Sequence, residues 1–136
     1  MDSSITNLPQ FGFLAVTGKD ATSFLQGYTT CDVDKLDETH SLGAICNLQG
    51  RMLTNFRIAE TNDGLILRMN RGLVQTTKDF LAKYIVFSKA TLVDVSDQWH
   101  CYGITGSRPA AEAGQILLSV DDDRFEIWCQ SALQST

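Results

Sequence analysis

The chain has 136 residues, enough for one ordinary domain with a packed core. Hydrophobic residues make up 43% and charged residues 20%, which excludes a disordered chain; 10 Gly and 2 Pro exclude a collagen-like one. A formal charge of −5 argues against a direct grip on nucleic acid through phosphates, and no run approaches the ~18 apolar residues of a membrane span.

Residues 1–10 read as a leader that becomes ordered only near Leu8-Pro9. It has neither the basic nor the apolar region of a signal peptide, so the expected compartment is the cytoplasm. Phe11 to Val16 is a short apolar run ending at Thr17-Gly18, the pattern of a buried strand. Asp20 is a candidate N-cap, and Ala21, Phe24, Leu25 and Tyr28 follow at helical spacing until Gly27 weakens or ends the helix. Thr29 to Leu36 reads as a second short helix or a turn. Leu42 to Leu48 and Arg51 to Glu60 then flank Gln49-Gly50, a turn between antiparallel strands. In the second of these strands Met52, Thr54, Phe56 and Ile58 share one face, and Leu53, Asn55, Arg57 and Ala59 the other.

Asn62-Asp63-Gly64 marks the next turn, and Leu65 to Met69 the next strand. Leu73, Val74, Thr77, Phe80, Leu81, Tyr84 and Ile85 lie on one face of a long helix, and Thr91 to Val95 closes the unit as a strand. Residues 11–97 thus spell a ferredoxin-like half: an α+β unit with an antiparallel sheet, helices on one face, and one extra strand. The pattern then restarts. Val16-Thr17-Gly18 is echoed by Ile104-Thr105-Gly106, with a helix expected from Ser107 and Pro109 to Gly114 and a hairpin around Asp121-Asp122-Asp123-Arg124. Residues 98–136 read as an incomplete, truncated second half, with no residues left for its second helix and last strand. An uncovered sheet invites a partner, including a second copy of the chain.

Motifs for chemistry are sparse. Cys31, Cys46, Cys101 and Cys129 contain no close pair, so no metal site is expected and the cysteines read as reduced thiols. His40 and His100 lie in no catalytic motif, and no nucleophile elbow, zincin or phosphate loop is present, so no catalytic residue is assigned. Asp121-Asp122-Asp123 reads as a solvated turn. Two stretches stand out. On the strand from Arg51, Asn55 and Arg57 share a face with apolar residues and need partners, unless the strand is an edge with solvated side chains. At the helix end, Tyr84 and Phe87 sit near Lys83 and Lys89, either as core aromatics with lysines on the helix C-terminus or as ligand contacts.

Together Leu25-Gln26-Gly27-Tyr28-Thr29-Thr30-Cys31-Asp32-Val33, Asn47-Leu48-Gln49-Gly50-Arg51-Met52-Leu53-Thr54-Asn55-Phe56-Arg57 and Lys83-Tyr84-Ile85-Val86-Phe87-Ser88-Lys89 resemble the YgfZ family. These are folate-binding proteins of the aminomethyltransferase (glycine-cleavage T-protein) superfamily, and the likeness spans residues 11 to about 130, as of the N-terminal portion of a longer protein. The resemblance implies a tetrahydrofolate-binding accessory protein that supports iron–sulfur cluster assembly or repair and, indirectly, tRNA modification. Its partners would be folate and iron–sulfur enzymes or assembly proteins. The family's cysteine-bearing Lys-Gly-Cys-Tyr signature is absent from the sequence. Thr54-Asn55 also stands where the aminomethyltransferases carry two aspartates, and an amide cannot act as a general base or stabilise a cation as a carboxylate does. The expectation is therefore binding rather than catalysis. For a folate, Asn55 would donate and accept at a polar edge, Arg57 or Lys89 would pair a carboxylate, and Tyr84 or Phe87 would pack on a ring. Two rival readings stay open: a one-carbon transferase using other residues, and a protein-interaction scaffold.

Overall fold

The computed structural model describes residues 4–30, 32–37, 41–47 and 49–130. Cys31, His40 and Leu48 therefore lie outside the described residues. The chain forms β1 (Ser4–Asn7), β2 (Phe11–Thr17), α1 (Ala21–Gln26), a 3-10 turn (Val33–Lys35), β3 (Leu42–Cys46), β4 (Met52–Thr61) and β5 (Gly64–Asn70). A second 3-10 turn (Arg71–Leu73), α2 (Val74–Ala82), β6 (Thr91–Asp94), β7 (His100–Thr105), β8 (Ile116–Asp121) and β9 (Arg124–Cys129) follow.

Two sheets result, with strand orders β3-β4-β5-β2-β6 and β1-β7-β9-β8, every pairing antiparallel. In the five-stranded sheet, β2, β4, β5 and β6 take the ferredoxin-like order, and β3 is the extra edge strand. Its helix side buries Leu14, Val16, Phe56, Ile58, Leu65, Leu67 and Met69 against Ala21, Phe24 and Leu25 of α1 and Val74 and Leu81 of α2. Its other side packs Phe13, Ala59 and Ile66 against Cys101, Leu118 and Trp128 of the four-stranded sheet. Central strands β2 and β5 are buried on both faces, which is why they read as continuous apolar runs rather than alternating ones. The expected α+β architecture is present, with both α-helices on one face.

The echo is structural as well. Gly18 and Gly106 both hold φ of 113°, which favours glycine, each at the end of its strand. Each donates its N–H to the carbonyl of a hairpin-tip aspartate, Gly18 to Asp63 at 3.0 Å and Gly106 to Asp123 at 2.8 Å. The β2 strand pairs with the second strand of the β4–β5 hairpin, and β7 pairs likewise with the second strand of β8–β9. Order β6-β2-β5-β4 thus matches order β1-β7-β9-β8, and β1 fills the place of the last strand.

Three expectations change. Ser4–Asn7, read as leader, is strand β1, paired from Ser4↔Thr105 to Asn7↔Tyr102. All four residues are exposed, so no apolar alternation announced them. The helix expected between Ser107 and Gly114 is a loop, closed by Gln115 N–H to Glu112 O at 3.0 Å. Between Pro109 and Gly114 there is no apolar stripe to bury, and so short a helix cannot offset its nucleation cost. The long helix also stops at Ala82, where Tyr84 N–H reaches back only to Leu81 O at 3.0 Å.

Candidate functional site

The face shared by Asn55 and Arg57 meets the four-stranded sheet for part of its length. There the two sheets enclose a charged cluster. Arg68 on β5 is the cross-strand neighbour of Arg57 on β4, so two guanidinium groups lie side by side on one face. Glu126 on β9 faces them. Arg68 takes it in bidentate fashion, Nε to Oε1 at 3.0 Å and Nη2 to Oε2 at 2.8 Å. Trp128 Nε1 and the Cys101 thiol also donate to Oε1, at 3.0 and 3.3 Å. The Arg68 guanidinium covers the Phe11 ring at 3.9 Å from its centroid. Burial pushes the Cys101 thiol well above its ordinary range, and the Glu126 charge adds to this.

Arg57 is the surplus member. Its Nε is 3.6 Å from Glu126 Oε2, an oxygen that Arg68 already holds, and its Nη1 donates to the Ser41 hydroxyl at 3.2 Å. One carboxylate thus faces two guanidinium groups, and the Arg57 side chain is only 14% exposed. Burial lowers its pKa, Glu126 opposes this, and Arg68 and Arg124 add to the lowering. Among the described residues, the one carboxylate that faces Arg57 is shared with Arg68, and a half-buried guanidinium with a shared counter-charge can receive an anion.

Beyond Arg57 the strand face opens. Leu42 and Ala44 on β3 sit opposite Arg57 and Asn55 in register. Leu42 is 62% exposed, and Asn55 is exposed too. Leu53, expected on this face, packs instead against the helix-side core. The register shift between Ile45 and Cys46 falls opposite it and reverses its direction. An apolar platform with one amide and one surplus guanidinium therefore lies on the outer strands.

The other three expected site residues are elsewhere. Tyr84 packs with the helix-side core, stacked on Tyr28 at 5.1 Å and tilted on Phe80 at 5.3 Å. Phe87 is 99% exposed on the loop after α2. Lys89 is fixed by its backbone at the start of α1: its N–H donates to Asp20 Oδ2 at 2.7 Å, and its carbonyl accepts from Asp20 N–H at 3.1 Å. Asp20 is thus a clip for this loop rather than the side-chain N-cap of α1. That clip sits at the Thr17 end of β2, whereas Arg57 is level with Phe13, about 13 Å along the strand and on the opposite face. The structure brings Asn55 and Arg57 together and keeps Tyr84, Phe87 and Lys89 apart from them. Sequence reasoning missed Ser41, Arg68 and Glu126, which set the state of Arg57. Among the described residues no three His, Cys, Asp or Glu side chains are grouped to hold a metal ion, and no helix is long and apolar enough to cross a membrane.

No protein-family profile matches the chain. Curated relatives do. It is 31% identical over 137 residues to the tRNA-modifying protein YgfZ of Photobacterium profundum, covering 90% of this chain and 41% of that protein. The YgfZ protein of Escherichia coli O157:H7 is 31% identical over 115 residues, 84% of this chain and 35% of that one. Among solved structures, the glycine cleavage system aminomethyltransferase T from Bartonella henselae superposes with a TM-score of 0.76 at 14% identity, over 93% of this chain and 42% of that one. Heterotetrameric sarcosine oxidase from Corynebacterium sp. U-96 gives a TM-score of 0.58 at 12% identity, over 93% and 74%. At such identities these two show the fold alone. The resemblance carried by the three sequence stretches is thus borne out, and the chain spans about two fifths of the length of the curated relatives. Over most of its own length the chain is homologous to part of the proteins named tRNA-modifying protein YgfZ, and its fold is that of about two fifths of the glycine cleavage aminomethyltransferase.

Proposed function

We propose that the chain is a tetrahydrofolate-binding accessory unit that serves tRNA modification in the cytoplasm. It would do so indirectly, by supporting iron–sulfur enzymes, and without catalysing transfer itself. Homology to YgfZ proteins and the aminomethyltransferase fold support this reading. The observation that carries it is the open strand face where Asn55, Leu42 and the surplus Arg57 adjoin. Arg57 suits the glutamyl carboxylate of a folate, Leu42 its apolar ring, and Asn55 a polar edge. Where the aminomethyltransferases carry a carboxylate this strand has only the Asn55 amide, which favours binding over transfer. Glu126, the described carboxylate that faces Arg57, is committed to Arg68, Trp128 and Cys101 and is not free for a pterin edge.

The test is calorimetric titration with tetrahydrofolate and 5-formyltetrahydrofolate. Wild type should bind in the micromolar range, and Asn55→Ala or Arg57→Ala should each weaken binding about tenfold or more, as loss of a charge-assisted or paired hydrogen bond does. Tyr84→Phe, Phe87→Ala and Lys89→Ala should leave affinity unchanged. Absence of heat at millimolar folate, or wild-type affinity in Arg57→Ala, would remove this site from the chain.

A further inference from the structure

A second concave feature is untouched by that reading. At the hairpin-tip end of the five-stranded sheet, residues of β2, β4, β5 and β6 line a cleft of about 800 Å³ together with residues around the start of β8. That volume lies in the range of small-molecule sites, which favour such junctions. The floor is apolar: Ala15, Ile66, Val95 and Ile116, with Val93 still 41% exposed. Trp99 forms a wall, its ring 6.0 Å from that of Phe13 and tilted by 38°.

The polar lining has one sign. Among the described residues Asp63 contributes a carboxylate, Gln98, Gln115 and Gln130 amides, and no Lys, Arg or His lines the cleft; Glu60 borders it from a strand position that alternates with Thr61 and shares the helix-side face of its partner Leu65. The Asp63 carboxylate is held toward the cleft by the Thr61 hydroxyl, which donates to Oδ1 at 3.2 Å. Thr61 lies on the same strand face as Ala59, the face turned to the other sheet. An indole wall, an apolar floor and an acidic rim without a cation select one kind of occupant. A flat apolar body fills the floor and stacks on Trp99, and a positive group meets Asp63 and the indole face. We propose that this cleft binds a small organic cation with a planar apolar body.

The probes are benzamidine and its uncharged isostere benzamide. The readout is the Trp99 indole N–H resonance, with that of Trp128, fully buried, as the internal fold control. Benzamidine should shift the Trp99 signal with a Kd of about 1 mM, within reach of so small a ligand. Benzamide should bind about fivefold more weakly or worse, as expected for loss of a partly exposed ion pair. Asp63→Asn keeps the acceptor for Thr61 and should bring benzamidine down to the benzamide value, while Glu60→Gln, a change on the helix-side face of β4, should leave it unchanged. Equal binding of both probes, an unchanged Trp99 signal at 20-fold that concentration, or full benzamidine affinity in Asp63→Asn would overturn the proposal.

Discussion

Replacing Glu126 by leucine tests the account of the layer between the sheets. The change removes the only carboxylate that faces Arg57 and Arg68 among the described residues and orphans the donors on Trp128 and Cys101. Exposure of the Arg68 and Glu126 side chains is 11% and 9%, so neither group can be rescued by water without opening the interface. Breaking a buried pair from one side costs about 3–5 kcal/mol. With a urea m-value of about 2 kcal/mol/M, the unfolding midpoint should fall by about 2 M. Should that variant not fold, Glu126→Gln keeps the shape and one acceptor and should cost about 1–3 kcal/mol. Adding Arg68→Met to Glu126→Leu should recover part of the loss, because it removes one of the two stranded guanidinium groups and leaves Arg57 with Ser41 alone. Urea unfolding followed by circular dichroism gives all three values and their coupling. A loss below about 1 kcal/mol in Glu126→Leu, or strict additivity with Arg68→Met, would refute the reasoning.

Gly18→Ala should cost more than Gly50→Ala, by thermal or urea unfolding. Both glycines have positive φ, but a Cβ at Gly18 would fall 2.4 Å from Lys89 O, whereas nothing lies within 4 Å at Gly50. Thiol titration in native buffer should reach Cys46, which is half-buried, well before Cys101, whose thiol burial holds in its protonated form; equal rates would contradict the buried hydrogen bond to Glu126. Asp121 has its pKa lowered to about 2, chiefly by the hydrogen bond from Arg124. A lowered folded-state value stabilises above the unfolded value of about 3.9 and is lost as pH falls through the folded one. Thermal midpoints should therefore drop between about pH 4 and pH 2, and less so in Asp121→Asn; identical acid profiles would exclude this pair from the linkage.

How far the sequence could be read depended on where each signal was local. Strand β2, the hairpin β4–β5 and the faces of α1 and α2 follow from apolar spacing within a dozen residues, and they stand as expected. The β1 strand does not, since its ladder partners lie about a hundred residues away and its own side chains face solvent. Asn55 and Arg57 were legible as polar residues on an otherwise apolar strand. What makes Arg57 distinctive was not, because it depends on Glu126, and a single glutamate in a strand resembles any solvated one until the second sheet closes over it. The aromatic–lysine stretch misled for a related reason. Its spacing places Tyr84 correctly on the helix-side core, yet the sheet then stands between it and Arg57.

The internal echo explains where the candidate folate face lies. Four strands of one sheet match four of the other, and the matched strands pack back to back, which buries their shared faces and places the charged cluster between them. The β3 strand has no counterpart in the four-stranded sheet. It widens one sheet by a strand that the other cannot cover, and so keeps Leu42 and the Asn55 end of β4 open. Just before β3, the buried Ser41 accepts from Arg57 Nη1 and ties the surplus guanidinium to the margin of the charged layer, where its side chain stays 14% exposed. The extra strand thus places an open apolar platform beside a guanidinium that shares its counter-charge with Arg68.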